Sequence, residues 1–222
     1  MWKNLIGLWS SDALLKQAWD QSLDMLELTE QFFSEALISL RGGENESQLK
    51  KLKLRDKEIN QYQQDVRKKV VTYFSAHQEG ADIHTGLVLL NIVIDIERLG
   101  DYTKNILDLA ISYKKRLVSE DISAELKSIE EEILKRFKKT KKALQTQDAN
   151  AANSLLKTYR EDVSRSSDKI VDEILSGEQD YGSGDKAAAI ALYTRYLKRL
   201  GSHLKNMTST IVNPYNTIGY ID

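Results

Sequence analysis

Glu97-Arg98-Leu99-Gly100-Asp101-Tyr102-Thr103-Lys104-Asn105 aligns without gaps on Lys198-Arg199-Leu200-Gly201-Ser202-His203-Leu204-Lys205-Asn206, 101 residues further along the chain. Arg, Leu, Gly, Lys and Asn coincide at five of the nine positions, so the chain carries an internal duplication. Glycine inside a helix costs roughly 1 kcal/mol relative to alanine. Keeping Gly100 and Gly201 at equivalent places therefore calls for close approach of another backbone or a ligand.

Around these segments apolar residues recur at three- and four-residue steps, the period of amphipathic helices. In the first half they mark helices from Ser11-Asp12 to Leu40, from about Glu46 to His77, and from Ile83 to Leu117. The second half repeats the scheme from Ser119 to Gln147, from Asp148 to Ser176, and from Asp185 to near Val212. Ser11 and Ser119 are candidate helix starts, and Lys114-Lys115-Arg116 would complement a helix C-terminus. The fold expected is all-α: two tandem three-helix bundles related by internal duplication, residues 1–118 and 119–222.

Composition agrees with that reading. There is one proline in 222 residues, Pro214, and it follows the last predicted helix. Proline is confined mainly to loops, strand edges and helix starts, so its scarcity implies long uninterrupted helices. With no cysteine there is neither a disulfide framework nor a thiolate metal site. Thirty-two basic against 33 acidic residues argue against a general nucleic-acid binder, whose phosphate-neutralising surface leaves a domain basic. No eighteen-residue apolar run occurs, and Met1 to Trp19 is too polar for a signal-peptide core, so a cytoplasmic location is expected.

Glu97 and Asp101 stand one helical turn apart, with Asp108 on the same face and Leu87, Leu90 and Ile94 leading into it. Two carboxylates on a half-buried face need protonation, a cationic partner such as Arg98 or Lys104, or a metal with oxygen ligands. Acidic pairs at this spacing are also common on solvated helix faces, and the spacing alone leaves these alternatives open.

Asp95-Ile96-Glu97-Arg98-Leu99-Gly100-Asp101, followed by Asn105-Ile106, resembles the signature helix of the PhoU family, and the resemblance extends over essentially the whole chain. It implies a cytoplasmic, non-enzymatic regulator of phosphate uptake that acts with a phosphate transporter ATPase and a membrane sensor histidine kinase. It also implies a metal ion or cluster, with iron foremost and zinc or manganese as alternatives, held by paired acidic motifs on adjacent helices. Carried over by position, the ligands are Glu97 and Asp101 with Asp56 and Asn60 on the preceding helix. Asn60 stands where a second acid is usual and makes the site one negative charge poorer. A metal-free scaffold or transporter accessory protein is the alternative, and the resemblance leaves room for a homodimer.

The second repeat departs from that pattern. Lys198 replaces the acid and Ser202 the aspartate, while the counterparts of Asp56 and Asn60 are Arg160 and Ser164, around Val163. Arg195 precedes Lys198 on its face. Arg160, Arg195 and Lys198 therefore form a candidate site for an anion or a partner carboxylate. His203 reads as a hydrogen-bonded group more readily than as a ligand. Lys135 to Lys142 has six basic residues in eight, a solvated helix face or a peripheral membrane or transporter contact. Trp19 is expected in the core, and Trp2 and Trp9 at a bundle end, a partner or a membrane. No Glu is followed three residues later by His, and no Walker loop or nucleophile elbow is present, which removes support for di-iron oxidase, kinase and hydrolase readings.

Overall fold

The computed structural model describes residues 13–42, 45–77, 80–113 and 120–220. Its helices are α1 (Ala13–Gly42), α2 (Glu46–Lys53), α3 (Arg55–Ala76), α4 (Ile83–Ser112), α5 (Glu120–Thr146), α6 (Ala149–Tyr159), α7 (Ser166–Ser176) and α8 (Gly184–Ser209). Arg160–Arg165 joins α6 to α7 as a π-helical segment, and Tyr215–Thr217 is a short 3-10 turn. Among the described residues there is no strand, so the fold is all-α. The candidate starts at Ser11 and Ser119, the cationic end at Lys114–Arg116, Trp2, Trp9 and the 118/119 boundary lie outside the described residues.

Local chemistry sets several helix ends. Asn45 and Gln48 cap each other at the start of α2, each side chain accepting from the other's backbone N–H. Asp82 accepts from the Thr85 backbone N–H at 3.0 Å to start α4, and Asp148 accepts from Asn150 and Ala151 to start α6. Gly177, at φ 72°, ends α7 in the left-handed region that side chains resist.

The helix expected from 46 to 77 is two helices. Leu54 keeps right-handed dihedrals, but its N–H bonds back to Lys51 and its C=O receives Lys57, so one turn tightens to i, i+3 spacing. The helix expected from 148 to 176 runs on but loosens into the π segment at Arg160–Arg165, after which the Ser166 N–H bonds back to the Val163 carbonyl.

The apolar stripes read from the sequence meet in one continuous core. Leu15, Trp19, Leu26, Phe33 and Leu37 of α1 face Ile59, Val66 and Val70 of α3, and Phe137 of α5 stacks on Phe33 at 5.9 Å. On α4 the inward stripe is Val88, Leu89, Ile92, Val93, Ile96 and Leu99, all buried. Leu87, Leu90 and Ile94 lie on its flank, with Ile94 37% exposed. The face carrying Glu97 and Asp101 is accordingly the half-buried margin of α4 and not its inward side.

The two signature helices, α4 and α8, pack on each other and bring the repeats together. His203 of α8 bonds Asp95 of α4, and Thr140 of α5 bonds Thr208 of α8 at 2.9 Å inside the core. The residues after α8 are tied back: the Gly219 N–H donates to Ser209 Oγ at 2.7 Å, and Lys205 donates to the Gly219 carbonyl.

Candidate functional site

The glycines fix how the middle and last helices of each repeat meet. A Cβ on Gly100 would lie 3.1 Å from Ile59 Cδ1, and one on Gly201 would lie 2.8 Å from Val163 Cγ1 and 3.2 Å from Tyr159 Cε2. The close approach at these glycines is made by side chains, Ile59 of α3 for Gly100 and Val163 and Tyr159 of the π segment and α6 for Gly201. It also gives Ile59 and Val163 the same packing role, while Arg160, at the start of the π segment, is exposed where Asp56 is buried.

At the first seam, α3 contributes Asp56 and Asn60 and α4 contributes Glu97, Asp101 and Lys104. Asp56 is buried although it lies in the first turn of α3, where the helix dipole favours a carboxylate. Lys104 Nζ donates to Asp56 Oδ2 at 2.8 Å and to Asp101 Oδ1 at 3.4 Å. The amide of Asn60 donates to the same Asp56 oxygen at 3.3 Å. Arg98 donates to Asp101 at 2.9 Å, and its Nε lies 3.7 Å from Glu97 Oε2. The structure thus gathers all four predicted residues, with a lysine between two of them.

Electrostatics follow this geometry. Burial raises the Glu97 carboxyl above the ordinary carboxylate range, and the like charges of Asp101 and Asp56 raise it further against the pull of Arg98 and Arg67. For Lys104, burial favours loss of the proton, but the hydrogen bond and charge of Asp56, together with Asp101, hold its affinity above the ordinary lysine value.

A metal does not fit this donor set as it stands. Among the described residues no group of three or more His, Asp or Glu side chains is arranged to hold one. Asn60 turns its N–H toward Asp56, which makes it a donor to the carboxylate. An ammonium already bridges Asp56 and Asp101.

At the second seam, Lys198 Nζ lies 2.6 Å and 2.5 Å from the two oxygens of Asp168, and Arg195 reaches the same carboxylate at 3.3 Å. Arg195 and Lys198 come together as the sequence suggested. Arg160 is exposed and is not part of this group, since the π segment begins at it. The carboxylate between the two cations is the chain's own Asp168, which sequence reasoning missed. Its signal was available: Asp168 stands four residues after Ser164, one turn along the same face.

His203 is a structural group, bonded to Asp95 at 2.8 Å and stacked on Tyr102 at 5.7 Å. The basic run divides by helical phase. Arg136 is buried, Lys141 pairs with Glu27 of α1, and Lys135 and Lys139 face a cleft against α6 that also includes Ser154 and Thr158. The run is therefore not one uniform solvated face.

With this geometry in place, comparisons give the chain its relatives. The PhoU domain family matches residues 23–110. The fold resembles the crystal structure of PhoU from Pseudomonas aeruginosa with a TM-score of 0.80 and 22% identity, covering 90% of this chain and 96% of that one. It also resembles the phosphate transport system regulatory protein PhoU from Streptococcus pneumoniae with a TM-score of 0.79 and 17% identity, covering 93% and 97%. No curated protein matches the sequence.

Proposed function

We propose a role for this chain, whose residues 23–110 match the PhoU domain family: it regulates phosphate uptake by binding other proteins, and it does so without catalysing a reaction. Its partners on this reading are the phosphate transporter ATPase or another transporter component, and a membrane sensor histidine kinase. The observation that carries the reading is that the likeness to two PhoU structures runs through both repeats, although the second has lost its acidic motif. A fold kept whole while one acidic motif is rewritten is what a binding scaffold requires. A cytoplasmic location belongs to the same proposal; no helix among the described residues is long and apolar enough to cross a membrane.

Metal dependence divides the reading in two. Iron, zinc or manganese at Asp56, Asn60, Glu97 and Asp101 is the form that the family resemblance implies, and against it stand the Lys104 ammonium and the Asn60 amide already on Asp56. The metal-free form is favoured by Lys104, whose ammonium bridges Asp56 and Asp101, and it is the form adopted here.

The test is affinity purification of the full chain from its own cells with the transporter ATPase and sensor kinase as identified prey, paired with phosphate-uptake measurements in a deletion strain. Recovery of either protein and altered uptake support the role. Unchanged uptake with neither protein recovered overturns it.

A further inference from the structure

We infer that Lys104 is a resident cation of the first repeat, its ammonium holding Asp56 of α3 to Asp101 of α4 where a metal ion would otherwise link the two helices, and that Lys198 on Asp168 links α7 to α8 in the same way. The inference rests on the metal-free form of the proposed function. It depends on where an amine lies and not on which partner is bound.

Geometry carries it. The side chain of Asp56 is 9% exposed, that of Lys104 30% and that of Asp101 27%, so the bridge sits at the dry margin of the seam. An exposed ion pair contributes little, but an ammonium beside a buried carboxylate is screened less and cannot leave without stranding a charge. Charge counting agrees. Asp56, Glu97 and Asp101 bring three negative charges, and Lys104, Arg98 and Arg67 act on them with three positive ones. A divalent ion would have to expel Lys104 and would leave the group with one net positive charge in place of balance.

The second repeat also closes its seam with a lysine on a carboxylate, from a different position and with a single, more exposed partner, Asp168. The repeat alignment equates Lys104 with Lys205, yet Lys205 donates to the Gly219 carbonyl and lies 5.6 Å from the centre of the Tyr159 ring. The linking amine comes instead from Lys198, at the place of Glu97. Each seam packs on its glycine through Ile59 or Val163 and closes with a lysine on a carboxylate.

Asp56 Oδ1 is buried and makes no hydrogen bond. If Lys104 is removed, Asp56 Oδ2 loses its cation and keeps only the Asn60 amide, while Glu97 and Asp101 stay nearby. The gap is then a candidate cation site that the natural chain does not offer.

The experiment measures metal content after purification and melting temperature in chelator and in excess Mn2+ or Zn2+, for the parent, Lys104→Ala and Lys104→Met. The parent is expected to carry less than about 0.1 metal per chain and to melt alike in both conditions. Lys104→Ala is expected to melt lower in chelator and to regain roughly 5 °C with metal, because an ion that binds only the folded state stabilises it. Lys104→Met keeps the aliphatic stem and serves if the alanine variant does not fold. About one metal per parent chain, or a parent whose melting temperature rises with metal, overturns the inference. So does the lack of any metal-dependent gain in a folded Lys104 variant. Partner recovery is read separately, so a metal-free parent that binds no partner defeats the proposed function and leaves this inference standing.

Discussion

His203 Nδ1 lies 2.8 Å from Asp95 Oδ1, and this bond ties the signature helix of one repeat to that of the other. Asp95 is 8% exposed and also accepts from Asn206 at 3.3 Å, while Tyr102 of its own helix covers the imidazole. Asp95→Ala leaves two donors without their acceptor, which costs about 1.5–3 kcal/mol when the lost bonds involve a charge. A double-mutant cycle of Asp95→Ala with His203→Ala, followed by urea denaturation, is expected to give a coupling of at least about 1 kcal/mol. Additive losses would mean that the bond does not hold the repeats together.

The two glycines are not equally strict. On Gly100 a methyl group meets the flexible end of Ile59 at 3.1 Å, whereas on Gly201 it meets the stiff Val163 at 2.8 Å and the Tyr159 ring at 3.2 Å. Alanine gains about 1 kcal/mol of helix propensity at either site, while overpacking costs typically about 1–3 kcal/mol. Gly100→Ala should come out within about 1 kcal/mol of neutral, and Gly201→Ala should lose about 1–2 kcal/mol. Equal denaturation midpoints for the two variants would contradict this ordering.

Glu97 gives a pH dependence of defined sign. Its carboxyl binds a proton more tightly in the folded chain than in the unfolded one, so folding is favoured by protonation. Stability contributed by this group is therefore present at low pH and lost as pH rises from about 4.3, the free glutamate value, through the raised folded value. Glu97→Gln removes that loss. The variant is expected to match the parent below about pH 4 and to melt higher than the parent at pH 7. A lower melting temperature at pH 7 would show that Arg98 and Arg67 outweigh burial at this position.

How far the sequence revealed the molecule depends on the range of each interaction. Helix periodicity is local, so Leu15, Ile59, Val70, Ile133, Phe137 and Ile170 were legible as core and are buried. The repeat register was legible as well, because Gly100 and Gly201 each leave a fixed mark. Leu87, Leu90 and Ile94 misled because a second apolar stripe, one residue along, takes the interior of a helix packed on several neighbours. The gathering of Asp56, Asn60, Glu97 and Asp101 was legible only through the family resemblance. That Lys104 spans 48 residues to reach Asp56, and Lys198 spans 30 to reach Asp168, was not legible. Sequence shows which cations are available, and only packing decides which carboxylate each one meets.

The run from Lys135 to Lys142 gives the last prediction, since its residues are chemically alike and differently placed. Arg136 is 3% exposed and donates to the Leu155 carbonyl at 2.8 Å, Thr158 Oγ1 at 2.7 Å and Asp162 at 3.0 Å, with Glu132 2.9 Å from its Nε. One guanidinium thereby serves four groups on α5, α6 and the π segment, a fork that lysine cannot reproduce. Lys139 is an exposed member of the same run. Arg136→Lys and Arg136→Met should each lose about 2–3 kcal/mol in denaturant unfolding, because the acceptors lose a charged donor. Lys139→Ala should stay within about 0.5 kcal/mol of the parent. If Arg136→Lys proves as mild as Lys139→Ala, the guanidinium fork is not what fastens α5 to α6.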